Sequence, residues 1–502
     1  MIPATVLALA TARGGYLLVL AIMVPVAGML LSLVVGGRHA ERIALGAAGI
    51  GVGLAFAIAI EVAKTGAPLV YVVGDWAPPL GIVLRADGFS AAMLVIAALV
   101  LVAAGLFARK NFPSPAGGGE GRAPLAFWTL LQGVSAALNV IFVGNDLFNL
   151  YVALELLTFA AVPLVSLDGR PETLQAALRY LMFALFGSVF YLLGAALLYG
   201  SYGTLDILMM AGRIRSEPTV APAAFLAGGL MTAGLLAKTA LFPLHLWLPP
   251  AHANAPAPAS AVLSALVVKG SFFLVVRLWF DVMPGVATAS AMAALGSLGS
   301  AAILFGSVLA LRQRRLKLLI AYSTVAQIGY LFLMFPLAAG ADPWNATAWS
   351  GGVMQALSHA LAKAAMFLAA GLIAETLGHD RISDLRGVGR VMPMTMFAFG
   401  LGGLSLMGLP PSGGFVAKWL LLQAAAQTGQ WVWAAVILAG GLLAGGYVFR
   451  VVAPALADTR IEVKAFASRR REALPLVLAI GAALLGFAPQ SFYALLQIGR
   501  GL

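Results

Sequence analysis

The stretch LLAKTALFPLHLWLP, residues 235–249, sets a lysine, Lys238, inside an apolar run and interrupts that run at Pro243. A charge at the centre of a bilayer costs a few kcal/mol or more, so an intramembrane lysine faces the bundle interior and usually marks an ion or proton path. Pro243 lacks an N–H and clashes with the carbonyl of Thr239, which frees backbone groups beside Lys238. Water or side chains must then satisfy them. A desolvated amine exchanges its proton readily, so a lysine at a hydrated break suits proton transfer. Snorkelling to an interface is the plainer alternative, set against apolar residues on both sides.

A second stretch, GLPPSGGFVAKW at 408–419, repeats the pattern with Pro410, Pro411 and Lys418. Gly413 and Gly414 allow unusual backbone angles there. A half-helix starting near Ser412 would point a partly positive end at a cavity, with Lys418 one to two turns inside. Paired interruptions in two halves of a membrane chain are the best sequence pointer to a transport site. Lys418 is a candidate terminal exchange site, with snorkelling again the alternative.

Other ionisable groups share this setting. Glu155 is an intramembrane carboxylate that needs an opposite charge nearby to stay ionised, and a lysine is the partner at hand; a packing carboxyl bonded to a backbone carbonyl is the alternative. Lys269 lies mid-run and reads as path-lining, while Arg277 on roughly the same face reads as an interface anchor. His359 and Lys363 are four apart and stack on one helix face, as a relay or as a packing pair. Ser323 and Gln327, also four apart, form a water-holding stripe or simply hold helices together. His252 sits on the short connection into the next run, as a gate for protons or as an ordinary loop residue.

The bulk composition agrees. The chain has 502 residues, 61% hydrophobic and 10% charged, with 57 glycines, no cysteine and a net charge of +12. That is far from the soluble range of about 25% charged. Without cysteine there is no disulfide, thiolate metal site or cysteine-held cluster. The five histidines show no ligand spacing, so neither metal nor cofactor is expected. No basic face with interleaved aromatics points to nucleic acid. The start, Met1 to Ala12, has no basic region and reads as no cleavable signal.

With a ruler of about 20 residues per crossing, the apolar runs fall at 14–36, 41–62, 88–108, 124–143, 146–167, 173–199, 222–248, 257–280, 285–311, 315–339, 348–376, 391–428, 431–455 and 473–497. The chain is thus an all-α integral membrane protein of about fourteen transmembrane helices, two of them discontinuous. Even-numbered connections hold only Lys64, Arg85, Arg213 and Arg215, while the odd ones carry the remaining loop arginines and lysines. Basic loops stay cytoplasmic, so both termini face outside. The long external loop at 64–87 is suited to a short hairpin, and Pro113 to Arg122 to a Gly/Pro-rich turn.

At these residues the chain resembles the antiporter-like subunits shared by Mrp-type cation/proton antiporters, respiratory complex I and membrane-bound hydrogenases. The resemblance is carried by 238–249, by His252 through Lys269, by AYSTVAQIGY at 321–330, by SHALAK at 358–363 and by 409–418. It implies two inverted five-helix repeats, at 124–280 and 285–455, between an N-terminal block at 1–123 and a C-terminal helix at 456–502. It implies that Glu155 pairs with Lys238, that Lys269 bridges, and that His359 and Lys363 lead on to Lys418. His252, Ser323, Gln327, Pro243 and Pro411 are supporting positions. The implied setting is a bacterial-type inner (cell) membrane, with other membrane subunits, the lipid bilayer, protons and sodium as partners. The D-type Mrp subunit is the nearest resemblance, and Lys418 argues against the complex I subunit type with glutamate there. The implied function is monovalent cation/proton antiport; the alternative is the proton-pumping subunit of a complex I-type NADH:quinone oxidoreductase or membrane-bound hydrogenase.

Overall fold

The computed structural model describes residues 10–113, 121–217, 219–283, 286–339, 344–459 and 462–500. The chain start before Ala10, residues 114–120 of the Gly/Pro-rich turn and Arg460 lie outside them. Among the described residues, 11 helices are long and apolar enough to cross a membrane, or up to 12 if one bent pair is a single span. They are α1 (Tyr16–Val35), α2 (Gly37–Thr65), α3 (Gly88–Ala108), α4 (Arg122–Val143), α5 (Leu147–Val165) and α6 (Pro171–Tyr202), then, after the short α7 (Ile207–Ser216) and the broken pair α8 (Pro222–Thr239) and α9 (Leu248–Asn254), α10 (Ala257–Val282). The second half holds α11 (Ala289–Arg312), α12 (Leu316–Ala338), α13 (Trp344–Leu377), the broken pair α14 (Pro393–Met407) and α15 (Gly413–Gln427), α16 (Trp431–Ala455), and a bent C-terminal pair, α17 (Arg469–Phe487) and α18 (Gln490–Gln497).

Several helices start where a side chain takes an orphan backbone N–H. Asp87 caps α3 through Ser90 N, Asp146 caps α5 through Phe148 N and Asn149 N, and Ser412 caps α15 through Phe415 N. Length and apolarity count fewer crossings than the about fourteen read from the sequence. The difference lies at 222–254 and 393–427, where the chain breaks as expected, and at the bent C-terminal pair where that is not taken as one span. At the first break α8 stops at Thr239, Ala240 turns left-handed at φ 58°, and the chain resumes as α9. At the second, Gly408 takes φ 80° and Ser412 restarts the helix.

α10 and α13 are buried along their apolar windows and form the centre of the body, with α12 nearly so. α1, α2, α6, α11 and α16 lie outside and present exposed leucine, valine and phenylalanine, as membrane-facing helices do. Small residues let the inner helices close up. A Cβ on Gly234 of α8 would stand 2.3 Å from the Gly187 carbonyl oxygen of α6, so these backbones meet without side chains between them. That contact seats Lys238, one turn beyond Gly234, against α6.

Two readings need correction. Arg277 is no interface anchor: it is buried in α10 and donates to Asp87 (2.5 Å), Asp281 (2.7 Å) and Ser90 (2.9 Å). Its charge finds a carboxylate inside the protein, so it has no reason to reach for the headgroups. Burial would raise the Asp87 carboxyl, but the Arg277 and Arg85 charges outweigh it and hold Asp87 below the usual carboxylate range. Nor is the last run, 473–497, one rod: α17 and α18 meet at 89°. Pro489 favours an extended residue before it, and Ala488 is extended. The loop before α3 forms the suspected hairpin, β1 (Leu69–Val72) against β2 (Val83–Ala86), antiparallel with Leu69 opposite Ala86.

Candidate functional site

The groups singled out from the sequence lie on α5, α8, α9, α10, α12, α13 and α15 and fall into two clusters. In the first, Lys238 Nζ stands 3.4 Å from Glu155 and donates to Thr158 Oγ1 at 3.0 Å. Ser188 of α6 donates to the same carboxylate. Glu155 therefore has both an opposite charge and a neutral donor, the two things a carboxylate away from water needs. It is the less enclosed partner: its side chain is 15% exposed, against 6% for Lys238. The carbonyl freed at this break goes elsewhere. Ala237 O accepts from Trp247 Nε1 at 2.9 Å and from Ala240 N at 3.3 Å, and Lys238 donates to neither end of this turn.

The second cluster spans α10, α12, α13 and the second break. Lys269 is fully buried and donates to the Ser264 carbonyl at 2.6 Å. That carbonyl belongs to a π turn, Leu263–Val267, where the regular ladder of the helix is interrupted. Ser264 Oγ meets Thr324 Oγ1 at 2.9 Å. Beside it, Lys363 Nζ donates to Ile320 O at 3.0 Å and to Ser323 Oγ. Farther along, Gln355 donates to Gln327 Oε1 (3.0 Å), and Gln327 donates to Leu406 O (3.0 Å). Lys418 Nζ donates to that same carbonyl at 2.5 Å and lies 4.2 Å from the centre of the Tyr330 ring. Leu406 is in the last turn of α14, where carbonyls lack a helical donor. The second break thus offers its free acceptor to Lys418 and Gln327, whereas at the first no lysine takes the carbonyl.

His359 and His252 hold the gaps. Both ring nitrogens of each are buried without a hydrogen-bond partner among the described residues. Lys269, Lys363 and Lys418 all sit close enough to act electrostatically on His359. His252 lies within the same range of Lys363, Lys269 and Lys317. It is a buried residue of α9 stacked on Phe367 at 4.8 Å, not a loop residue. An imidazole can both accept and donate a proton, so each ring is suited to bridging neighbouring ammonium groups through water.

The structure does not join Lys238 to Lys269 by any hydrogen bond. Their helices meet one residue after Lys238 and two after Lys269, through Thr239 Oγ1 and Ser271 Oγ at 3.0 Å. Pro243 and Pro411 lie at the breaks and touch none of the charged groups by hydrogen bond. The sequence reading missed Thr158, Ser188, Gln355, Tyr330 and Leu406. Thr158 is three residues after Glu155, and Gln355 four before His359, so helical spacing held the signal for both.

Residues 144–444 match the family described as NADH:quinone oxidoreductase/Mrp antiporter, transmembrane. The chain is 37% identical over 451 residues to NADH-quinone oxidoreductase subunit N of Desulforudis audaxviator, covering 85% of this chain and 87% of that one. It is 30% identical over 437 residues to the D-type subunit of the Na(+)/H(+) antiporter of Alkalihalophilus pseudofirmus, covering 85% and 84%. A chain of the membrane-bound sulfane sulfur reductase, an archaeal respiratory membrane complex, superposes with a TM-score of 0.84 at 27% identity, covering 95% and 96%. The subunit N relative is more identical than the D-type one, the reverse of the order suggested by the sequence motifs.

Proposed function

Because the chain belongs to the NADH:quinone oxidoreductase/Mrp antiporter family and is an antiporter-like subunit of such a membrane complex, we propose that it carries protons along the line Glu155, Lys238, Lys269, His359, Lys363 and Lys418 in exchange for a monovalent cation, sodium being the candidate. The observation that carries this reading is the Glu155–Lys238 pair at 3.4 Å within the membrane body. A proton gained near Glu155 weakens its hold on the Lys238 ammonium. The ammonium can then reorient toward Lys269, and each following lysine passes the change of charge to the next. His252, Ser323 and Gln327 support the line by holding water or relaying, and the backbone turns at Pro243 and Pro411 give it room. We count each broken segment as one crossing, which gives fourteen helices with both termini outside. The repeats run over 124–280 and 285–455, between blocks at 1–123 and 456–502, and each repeat holds one break.

The test uses the whole complex in membrane vesicles. Glu155→Ala and Lys238→Ala should each abolish cation-driven proton movement; activity near wild type in both rejects the assignment. A second reading makes the chain the proton-pumping arm of a redox complex, and the higher identity to a subunit N favours it. Vesicles that move protons on addition of an electron donor and quinone, but not on a sodium gradient, would decide for this second reading.

A further inference from the structure

Five arginines converge on a cavity away from the charged axis. Arg314 and Arg315 precede α12, Arg381 and Arg386 lie between α13 and α14, and Arg450 is near the end of α16; the cavity measures about 830 Å3 and no carboxylate lines it. Arg315 is matched by Asp380 at 3.0 Å, and Arg450 donates to the Leu311 carbonyl of α11. The side chains of Arg314, Arg381 and Arg386 have no hydrogen bond or ion pair to any described residue. Nearby carboxylates are engaged with others: Asp458 pairs with Arg390, and Asp384 takes Ser383 and His379. A cleft lined by one sign of charge focuses its field and draws a counter-ion. Planar guanidinium groups are suited to a phosphate, which accepts two parallel N–H bonds from each.

The helices beside the cavity also carry exposed apolar surface. Arg450 ties α16 to α11, and both helices bring exposed apolar side chains up to this level. Phe449 next to Arg450 is 71% exposed and Leu442, two turns back on the same side, 79%. Phe305 and Val308 of α11 are exposed as well. A ligand here meets a multiply cationic pocket at one end and membrane-facing hydrocarbon at the other. We propose that the arginine cavity is a binding site for an anionic phospholipid, its phosphate held by Arg314, Arg381 and Arg386 and its acyl chains lying along α11 and α16. Basic pockets between transmembrane helices recognise anionic headgroups in this way.

The intact complex, titrated with phosphatidylglycerol and followed by native mass spectrometry, tests it. Arg381→Gln with Arg386→Gln should weaken phosphatidylglycerol binding about 30-fold, the effect of two lost interfacial charges, and leave phosphatidylcholine unchanged. Arg314→Gln should act in the same direction. Arg390→Gln, already paired with Asp458 outside the cavity, should change nothing. Equal binding in wild type and the double variant overturns the proposal, as does an equal loss in Arg390→Gln, which would mark a diffuse field. Displacement of the lipid by inorganic phosphate alone would mean a free-phosphate site. A crosslink from Arg386→Cys to a neighbouring subunit would put protein in the cavity. Both outcomes reject the lipid.

Discussion

Lys418 and Leu406 meet across the break in their own segment: the ammonium donates to the leucine carbonyl at 2.5 Å. The same oxygen accepts from Gln327 at 3.0 Å, and Gln327 in turn accepts from Gln355. No carboxylate is hydrogen-bonded to Lys418 among the described residues, only a carbonyl and the Tyr330 ring face at 4.2 Å. Neutral acceptors hold an ammonium without locking it as a carboxylate would, because they do not gain from its charge as strongly. The break therefore holds the Lys418 ammonium on neutral groups alone.

Gln327→Leu removes the link between Gln355 and that acceptor while keeping roughly the same volume. It leaves Gln355 with a buried donor and no partner, at a cost of about 1–3 kcal/mol. Assembly of the complex should survive, with a lowered melting temperature. Proton movement in vesicles should fall by about tenfold or more, the equivalent of 1.4 kcal/mol in a barrier. Transport at the wild-type rate with the stability loss present would confine Gln327 to packing.

Glu155 and Lys238 should behave as a coupled pair in stability and as two separate necessities in transport. Glu155→Met leaves a buried ammonium with Thr158 as its remaining hydrogen-bond partner, and removing one member of such a pair costs up to about 3–5 kcal/mol. Glu155 is partly exposed, which lowers that figure. Adding Lys238→Met should recover most of the melting temperature, because well-packed apolar side chains replace an ion pair at little loss. Transport should stay absent in the double variant. Melting curves and vesicle assays on the four proteins of the cycle measure both quantities.

The parts of this arrangement that could be read from sequence are those in which one residue type is costly in its setting. Lys238, Lys269, Lys363 and Lys418 stand out in apolar runs, and Pro243 and Pro411 mark the breaks near two of them. What escaped was set by tertiary pairing. Arg277 was misplaced although Asp281 stands four residues on at helical spacing; its other carboxylate, Asp87, is 190 residues away, and no local pattern ties those two. Leu406 acts through a backbone oxygen, which no side-chain pattern reveals. The bend at 89° before α18 was signalled locally by Pro489, but the apolar run through it looked continuous.

Gly234 fixes where Lys238 stands. A methyl group at this position would fall 2.3 Å from the Gly187 carbonyl oxygen and 3.0 Å from Tyr191 N. Neither backbone atom can move without shifting α6 against α8. Gly234→Ala should destabilise by about 1–3 kcal/mol, the range for overpacking a filled site. It should also slow proton transport, because α6 carries Ser188, which donates to Glu155. Gly229→Ala on the same helix meets open space and serves as the control. Equal melting temperatures for the two variants would remove the close approach as the cause.

Acid should remove the ionic contribution of the cluster joining the hairpin to α10 only once ordinary carboxylates are already protonated. Asp87 is held below the usual carboxylate range in the folded protein, because the charges of Arg277 and Arg85 overcome the upward push of burial. A lowered carboxyl gives stability that is present above the unfolded value and disappears as pH falls through the folded one. Asp87→Asn should therefore lower the melting temperature at neutral pH, leaving Arg277 with Asp281 as its one remaining carboxylate at 2.7 Å. The variant should lose little more on acidification, whereas wild type should fall toward it once the pH drops below the carboxylate range. Melting curves of the complex between pH 7 and the acid limit of assembly give the comparison. Parallel curves at all pH values would mean that Asp87 carries no ionic stabilisation, and that it serves only as the cap of α3 through Ser90 N at 2.9 Å.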